Sequence, residues 1–399
     1  MTRITLHVPG RLEVFGKHTD YAGGRSLVCA VPRGITMTAD QTTDGRAVIV
    51  DLSNNEQAVF SSAGDGPSDG WRRYPQTVVR RLAANFPAAR LSARLELTSD
   101  LPQAAGMSSS SALIVAVAEA LLACAGSEER DEWRAVIRTP EDRAGYFGCI
   151  ENGASFGPLT GDRGVGTHGG SEDHAAIVMS RAGELRQFSY SPLRLDRVVS
   201  MPAGWTFVVA SSGVAAEKTG AARADYNSLS DMVRTIVEAS GPDVGDRSLA
   251  ALVREGGAQR LQVSAELRTR LDHFIAEDTR VAQASGAFAH GDTATIGELA
   301  RASQEDADRM LGNQVPETRD LASLATDIGA AAASAFGAGW GGSVWALVRV
   351  DEAPRFLGEW LREYRQRYPA LPSDGFVAPP SDGVSAQRTP MHPEAPQFS

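Results

Sequence analysis

The sequence predicts an α+β protein built from two domains. Two observations carry this: strand-patterned segments dominate the first third and end in a helix apolar on every side, and a long helical stretch later runs into a strand, a helix and a short strand. Ile4-Thr5-Leu6-His7-Val8 alternates apolar and polar side chains, as a half-buried strand does. Residues 46–52 are rich in β-branched side chains and 93–97 alternate again, so both read as strands, while 71–82 place apolar residues at helical spacing. Residues 109–125 form the all-round apolar helix, which predicts burial on several sides. A stretch rich in Gly, Ser and Thr over 152–170 reads as a long loop, and loops of that length tend to be functional or disordered. Residues 177–190 return to strand patterning, and 205–210 read as a buried strand. From 226 to about 333 the pattern is amphipathic helix, followed by a strand over 343–350, a helix over 352–368 and a short strand over 375–378. A boundary near 190–205 divides the chain into domains at 1–198 and 199–384. Residues 385–399, polar and holding three prolines, read as a disordered tail.

Composition excludes several classes. With 42% hydrophobic and 22% charged residues the 399-residue chain has an ordinary globular make-up. No stretch approaches the ~20 apolar residues of a membrane span, and the N-terminus lacks the features of a signal peptide. Cys29, Cys124 and Cys149 have no metal-ligand spacing and read as free thiols in a reducing cytoplasm. A net charge of −10 argues against a nucleic-acid partner, and no repeat suggests a solenoid. Among 39 basic residues only Lys17 and Lys218 are lysines, so these two mark places where a compact ammonium does what a planar guanidinium cannot.

The strongest chemical signal is Asp100-Leu-Pro-Gln-Ala-Ala-Gly-Met-Ser-Ser-Ser-Ser111, leading into the apolar helix. A glycine turn and serines at a helix N-terminus present free N–H groups, the positive end of the dipole and hydroxyl donors together, which suits a phosphate. One serine would serve as a cap; Ser108, Ser109, Ser110 and Ser111 exceed that need. Residues 10–17 come close to a Walker A loop, but five residues separate the glycines and His18 stands where a Ser or Thr would hold magnesium.

Pro9-Gly-Arg-Leu-Glu-Val-Phe-Gly-Lys-His-Thr-Asp-Tyr-Ala-Gly-Gly24 resembles the first signature of galactokinases, normally P-G-R-V-N-L-I-G-E-H-T-D-Y-N-G-G. The serine segment is similar to the second motif of the GHMP kinase family, and Phe336-Gly-Ala-Gly-Trp-Gly-Gly-Ser-Val344 to its glycine-rich third motif. Gly70-Trp71-Arg-Arg-Tyr74 is similar to the family's G-W-x-N-Y segment. The resemblance implies a ribosomal protein S5 domain 2-like N-terminal domain, a ferredoxin-like C-terminal domain and a cleft between them that joins ATP, Mg2+ and a sugar. It further implies Asp173 as catalytic base with Arg11 beside it, and ATP held by Trp71, Gly106 and Ser108 to Ser111. Ser110 and Glu151 would hold Mg2+, and Lys17, His18, Asp20, Gly170 and Tyr226 the sugar, in a monomer or homodimer.

The departures lie on the sugar side. Lys17 replaces the glutamate that meets the C6 hydroxyl, Glu13 an asparagine, and Glu172 the methionine before the base. Two readings of Lys17 follow: it binds a carboxylate on a C6-modified sugar such as a uronic acid, or Glu13 or Glu172 neutralises it around a neutral sugar. Three functions fit: phosphorylation of a galactose-like sugar at C1, a kinase for a non-sugar alcohol, or a non-catalytic sugar sensor. The His18-Thr19-Asp20-Tyr21 run argues against the second; the retained Asp173 and serines argue against the third.

Overall fold

The computed structural model describes residues 2–102, 106–216, 220–241 and 247–390. The α+β class is the one observed, with two sheets sharing one continuous core. The strands of the first sheet are β1 (Thr2–Phe15), β2 (Arg25–Gln41), β3 (Arg46–Asp51), β4 (Glu56–Ser61), β5 (Ala93–Ser99), β6 (Glu184–Tyr190) and β7 (Leu193–Ser200). The second sheet holds β8 (Trp205–Ser211), β9 (Ala332–Phe336), β10 (Ser343–Arg349) and β11 (Gly375–Val377); β12 (Ser385–Pro390) returns to the first. The helices are α1 (Arg73–Asn85), α2 (Ser109–Ala125), α3 (Asp131–Val136), α4 (Pro140–Asn152), α5 (Glu172–Met179), α6 (Gly220–Glu238), α7 (Leu249–Arg254), α8 (Ala265–His290), α9 (Thr293–Asp306), α10 (Pro316–Asp327) and α11 (Ala353–Arg367).

The first sheet runs β12-β1-β2-β5-β3-β4 and forks at β2. The far half of β2 pairs with β5, from Ile35↔Ser99 to Gln41↔Ala93, while its start pairs with β6 from Arg25↔Ser189 to Val28↔Arg186. Against this sheet lies α2, whose Ile114, Val115, Ala116, Val117, Leu121 and Leu122 are all inaccessible to solvent. Being covered by β1, β2, α1, α4 and α5, it has no face to spare for polar residues, which is why its sequence shows no amphipathic stripe. Each such aliphatic side chain contributes about 1.5–3 kcal/mol by leaving water. That anchors the N-terminus of α2 where the phosphate site is expected. The second sheet, β11-β8-β10-β9, is wholly antiparallel, with Ser343↔Ser211 and Ser343↔Phe336 in register where the third motif enters β10.

Two expectations are corrected. Residues 177–179 belong to α5, and the strand begins only at Glu184; a short apolar run looks alike in a buried helix and a buried strand. Residues 385–390 are not a disordered tail but β12, pairing from His7↔Ser385 to Thr2↔Pro390. Backbone groups on the open edge of β1 make that ladder, so it needs no apolar signal in the sequence. Residues 391–399 lie outside the described residues, as do 217–219 with Lys218. The first sheet ends at Ser200 and the second begins at Trp205.

Candidate active site

The first motif enters from β1, where alternation puts Arg11 and Glu13 on one face of the strand. Arg11 Nε donates to Asp173 Oδ1 at 2.7 Å, and Nη1 donates to the carbonyl of Gly106 at 2.6 Å. One buried guanidinium therefore ties the first motif to the second and to Asp173. Gly106 in turn touches the third motif: at Gly337, φ +83°, an added Cβ would sit 2.8 Å from the Gly106 carbonyl oxygen. Glycine is required there because two backbones meet.

Asp173 stands in the first turn of α5, where the helix dipole favours a carboxylate. Its Oδ2 accepts from Ser111 Oγ at 3.2 Å, and the same hydroxyl lies 2.7 Å from Glu151 Oε2. Glu151 is in the last turn of α4, a helix opened by a Thr139/Asp142 capping box and closed by Gly153 in the left-handed region. His174 Nε2 lies 3.1 Å from Glu151 Oε2. Ser111, one residue past the expected metal ligand Ser110, is the buried serine of this cluster; Ser108 and Ser110 are half-buried and Ser109 exposed. Ser108 enters α2 in the left-handed conformation, φ 57°, with no side-chain cap bond, so the first N–H groups of α2 get no cap from it. Trp71 is half-buried before α1, its Nε1 donating to Glu56 Oε2 at 2.6 Å, with Arg72 over its ring.

The loop 153–170 is pinned rather than loose. Asn152 Nδ2 donates to the carbonyl of Gly169, Arg81 Nη2 to that of Ala154, and Arg80 Nε to Asp162. It delivers Gly170 against Asp20: a Cβ at Gly170 would lie 2.5 Å from Asp20 Oδ2. His18 shares a hydrogen bond of 2.8 Å with Tyr21 and another of 3.0 Å with the Ala338 carbonyl, joining the first motif to the third. Tyr226 packs on His18 with ring centroids 5.3 Å apart; burial, then Asp20, holds its phenol well above the usual range and so neutral. Arg11, His18, Asp20, Glu151, Gly170, Asp173 and Tyr226 all line one cavity, joined by Glu13, Glu172, Asn152 and His174.

Lys17 does not line it, and its placement among the sugar-binding residues is corrected. Its ammonium is buried on the opposite side, donating to Ser303 Oγ at 2.7 Å and Ser334 Oγ at 2.8 Å. Ser303 Oγ in turn donates to Glu277 Oε1, and Glu277 also pairs with Arg280. Burial lowers the Lys17 pKa, opposed first by Glu277 and then by Glu13. Glu277, and not the expected Glu13 or Glu172, is the first partner of this ammonium, with Glu13 second. Lys17→Met is expected to cost about 3 kcal/mol of stability, because it removes one partner from a buried charge network. The sugar KM should be unaltered in steady-state kinetics on the folded variant; a KM rise of tenfold or so would return Lys17 to the sugar site.

Glu13 and Glu172 are both buried in the cavity wall, with Glu172 Oε1 3.7 Å from Arg11 Nε. Burial pushes Glu13 up to about 6 against the pull of Arg11 and Lys17, and burial, Glu13 and Asp20 push Glu172 well above its ordinary 4.5. Arg11 is held above its usual value: burial works against its charge, but Asp173, Glu172 and Glu13 outweigh it. Both glutamates bind protons more tightly folded than unfolded. This part of the stability is therefore present below about pH 4.5 and lost as pH rises through about 6 and beyond. Glu172→Gln, which keeps a neutral donor, should raise stability at pH 8 and leave it nearly unchanged near pH 4. Thermal unfolding across that range checks this, and a variant no more stable than wild type at pH 8 would refute it.

Two residues at or behind the cavity wall were not anticipated, His174 lining it and Asn313 supporting His18 and Ala338 from behind. His174 follows Asp173 directly but carries no motif of its own. Asn313 donates to the Ala338 carbonyl and bonds His18 Nε2 from a position 295 residues away, with nothing local to announce it.

Three family models match in chain order: the galactokinase galactose-binding signature at residues 2–41, the N-terminal domain of GHMP kinases at 73–141 and their C-terminal domain at 284–366. The galactokinase of Actinobacillus pleuropneumoniae is 24% identical over 388 residues, 95% of this chain and 94% of that one. That of Pyrococcus furiosus is 24% identical over 386 residues, covering 96% and 99%. Among solved structures, Lactococcus lactis galactokinase complexed with galactose shares the fold with a TM-score of 0.80 at 21% identity, covering 96% and 95%. Methanococcus jannaschii mevalonate kinase shares it at 0.63 and 13% identity, covering 95% and 98%.

Proposed function

The chain belongs to the GHMP kinase family, and from that premise we propose that it moves the γ-phosphoryl of ATP to the anomeric hydroxyl of a neutral or cationic galactose-like monosaccharide. One observation carries the reading: Arg11 bonds Asp173 and the Gly106 carbonyl at once, so the base stands where the phosphate loop ends. The residues divide the work in a simple way. Asp20, His18, Gly170 and Tyr226 hold the sugar with its C1 hydroxyl toward Asp173. The N–H groups opening α2 and the serine hydroxyls hold the phosphates, with Trp71 on the adenine side. Phosphoryl transfer is mostly positioning and charge neutralisation. Asp173 therefore needs only to accept the hydroxyl proton as the new P–O bond forms, while Arg11 offsets charge on the transferring group.

Ser111 Oγ lies 2.7 Å from Glu151 Oε2, and with Ser110 next to it in the chain these oxygen donors would suit Mg2+. Among the described residues no group of three or more His, Cys, Asp or Glu could hold a metal by itself, so Glu151 and Ser110 would share the ion with the nucleotide. When bound, it neutralises the phosphate oxygens.

Five carboxyl side chains line the cavity and Lys17 points away from it, which supports a neutral or cationic sugar over a uronic acid. The test is coupled ADP release with D-galactose, its neutral epimers and D-galacturonic acid. Turnover of a neutral sugar supports the reading; turnover of the uronic acid alone would overturn it.

A further inference from the structure

Galactokinases carry an asparagine and a methionine where this chain has Glu13 and Glu172. In the fold these two positions, on β1 and α5, come together on one wall of the cavity beside Asp173. Both side chains are more than nine-tenths buried. Glu13 is hydrogen-bonded to Glu172, while its buried Oε1 has no partner among the described residues, in a side chain that belongs to the cavity wall. Arg11 is shared among three carboxyl groups: its Nε is 2.7 Å from Asp173 Oδ1 and its Nη1 bonds the Gly106 carbonyl, while Glu172 stands off at 3.7 Å.

We propose that Glu13 and Glu172 form a subsite for an amino substituent on the sugar carbon next to the one that is phosphorylated, which makes a 2-amino-2-deoxyhexose the substrate class. This rests on the kinase reading above. The position follows from Asp173: the two carboxyls of Asp173 and Glu172 flank one guanidinium nitrogen, so the group that Glu172 meets is a neighbour of the hydroxyl that Asp173 meets. The chemistry follows from the count of donors. A hydroxyl brings one proton to two carboxyl groups, whereas an ammonium brings three and a charge. It can satisfy Glu13 Oε1 and Glu172 together, with charge-assisted bonds that a neutral sugar cannot make. An acetamido group brings one N–H and no charge, and an acidic group would be repelled.

The experiment uses the full chain and coupled ADP release at neutral pH, with matched sugars bearing hydroxyl, amino or acetamido at C2 in the galacto and gluco configurations. The amine should exceed its hydroxyl partner in kcat/KM by about tenfold or more. In Glu13→Gln/Glu172→Gln that ratio should fall to about one, since neither side chain can then give up a proton to pair with the ammonium. If the hydroxyl sugar turns over and the amine does no better, the subsite is wrong and the kinase reading stands. If no sugar consumes ATP, the kinase reading fails separately, and calorimetric titration decides the subsite: tighter binding of the amine supports it, equal or weaker binding overturns it. Should the double variant not fold, the wild-type comparison still decides.

Discussion

Asp173→Ala is expected to lower kcat by roughly 10²- to 10⁴-fold, the usual contribution of a positioned general base. The carboxylate is fixed from two sides, Oδ1 by Arg11 and Oδ2 by Ser111, so its direction is set before substrate arrives. Removing it leaves Arg11 with Glu172 and Glu13 nearby, so the fold should survive. Asp173→Asn is the sharper form of the test, because it preserves the shape while losing the charge and the capacity to take a proton. Both variants should bind ATP as the wild type does in calorimetry while failing in the ADP-release assay. A variant that keeps full activity would remove Asp173 from the mechanism.

Arg11→Met should be worse, because it costs activity and stability together. Loss of a charge-stabilising donor at the transferring phosphoryl is expected to lower kcat by about 10²- to 10³-fold. The same change leaves Asp173, Glu172 and Glu13 without their shared cation, and breaking a buried pair costs about 3–5 kcal/mol. The sign of the pH effect is set by the glutamates. Without Arg11 both are pushed further up, so the loss should be small near pH 4, where they are protonated, and grow as pH rises. Adding Glu172→Gln should recover part of the stability and none of the activity. Thermal unfolding at two pH values, read beside kcat, checks both halves.

Much of this site could be read from the sequence because its parts are contiguous. The serine run, the glycines of the third motif and the His18 to Tyr21 segment each state their chemistry within a few residues. Their meeting, with Arg11 beside Asp173, could be read only from the family resemblance and not from the residues themselves. Arg11 and Asp173 are 162 residues apart, and the packing of α5 against α4, α2, β1 and β2 brings them together. Lys17 shows the limit most plainly. Its identity was informative, but the ladder of β1 shifts register between Glu13 and Phe15, and a shifted ladder no longer fixes which face a later side chain takes. The residue turns under the strand toward α8 and α9. The strand over 385–390 was hidden for another reason: its pairing is made by backbone groups alone, which composition does not reveal.

The central claim is that one chain residue, Asp173, takes the proton of a sugar C1 hydroxyl as ATP gives up its γ-phosphoryl. Phosphorus NMR of a reaction with ATP, Mg2+ and the preferred sugar from the panel tests it most directly. A new anomeric sugar phosphate should grow in step with ADP for the wild type, and none should form with Asp173→Asn. Accumulation of ADP and free phosphate without a sugar phosphate, a phosphate on another carbon, or equal product from Asp173→Asn would contradict it.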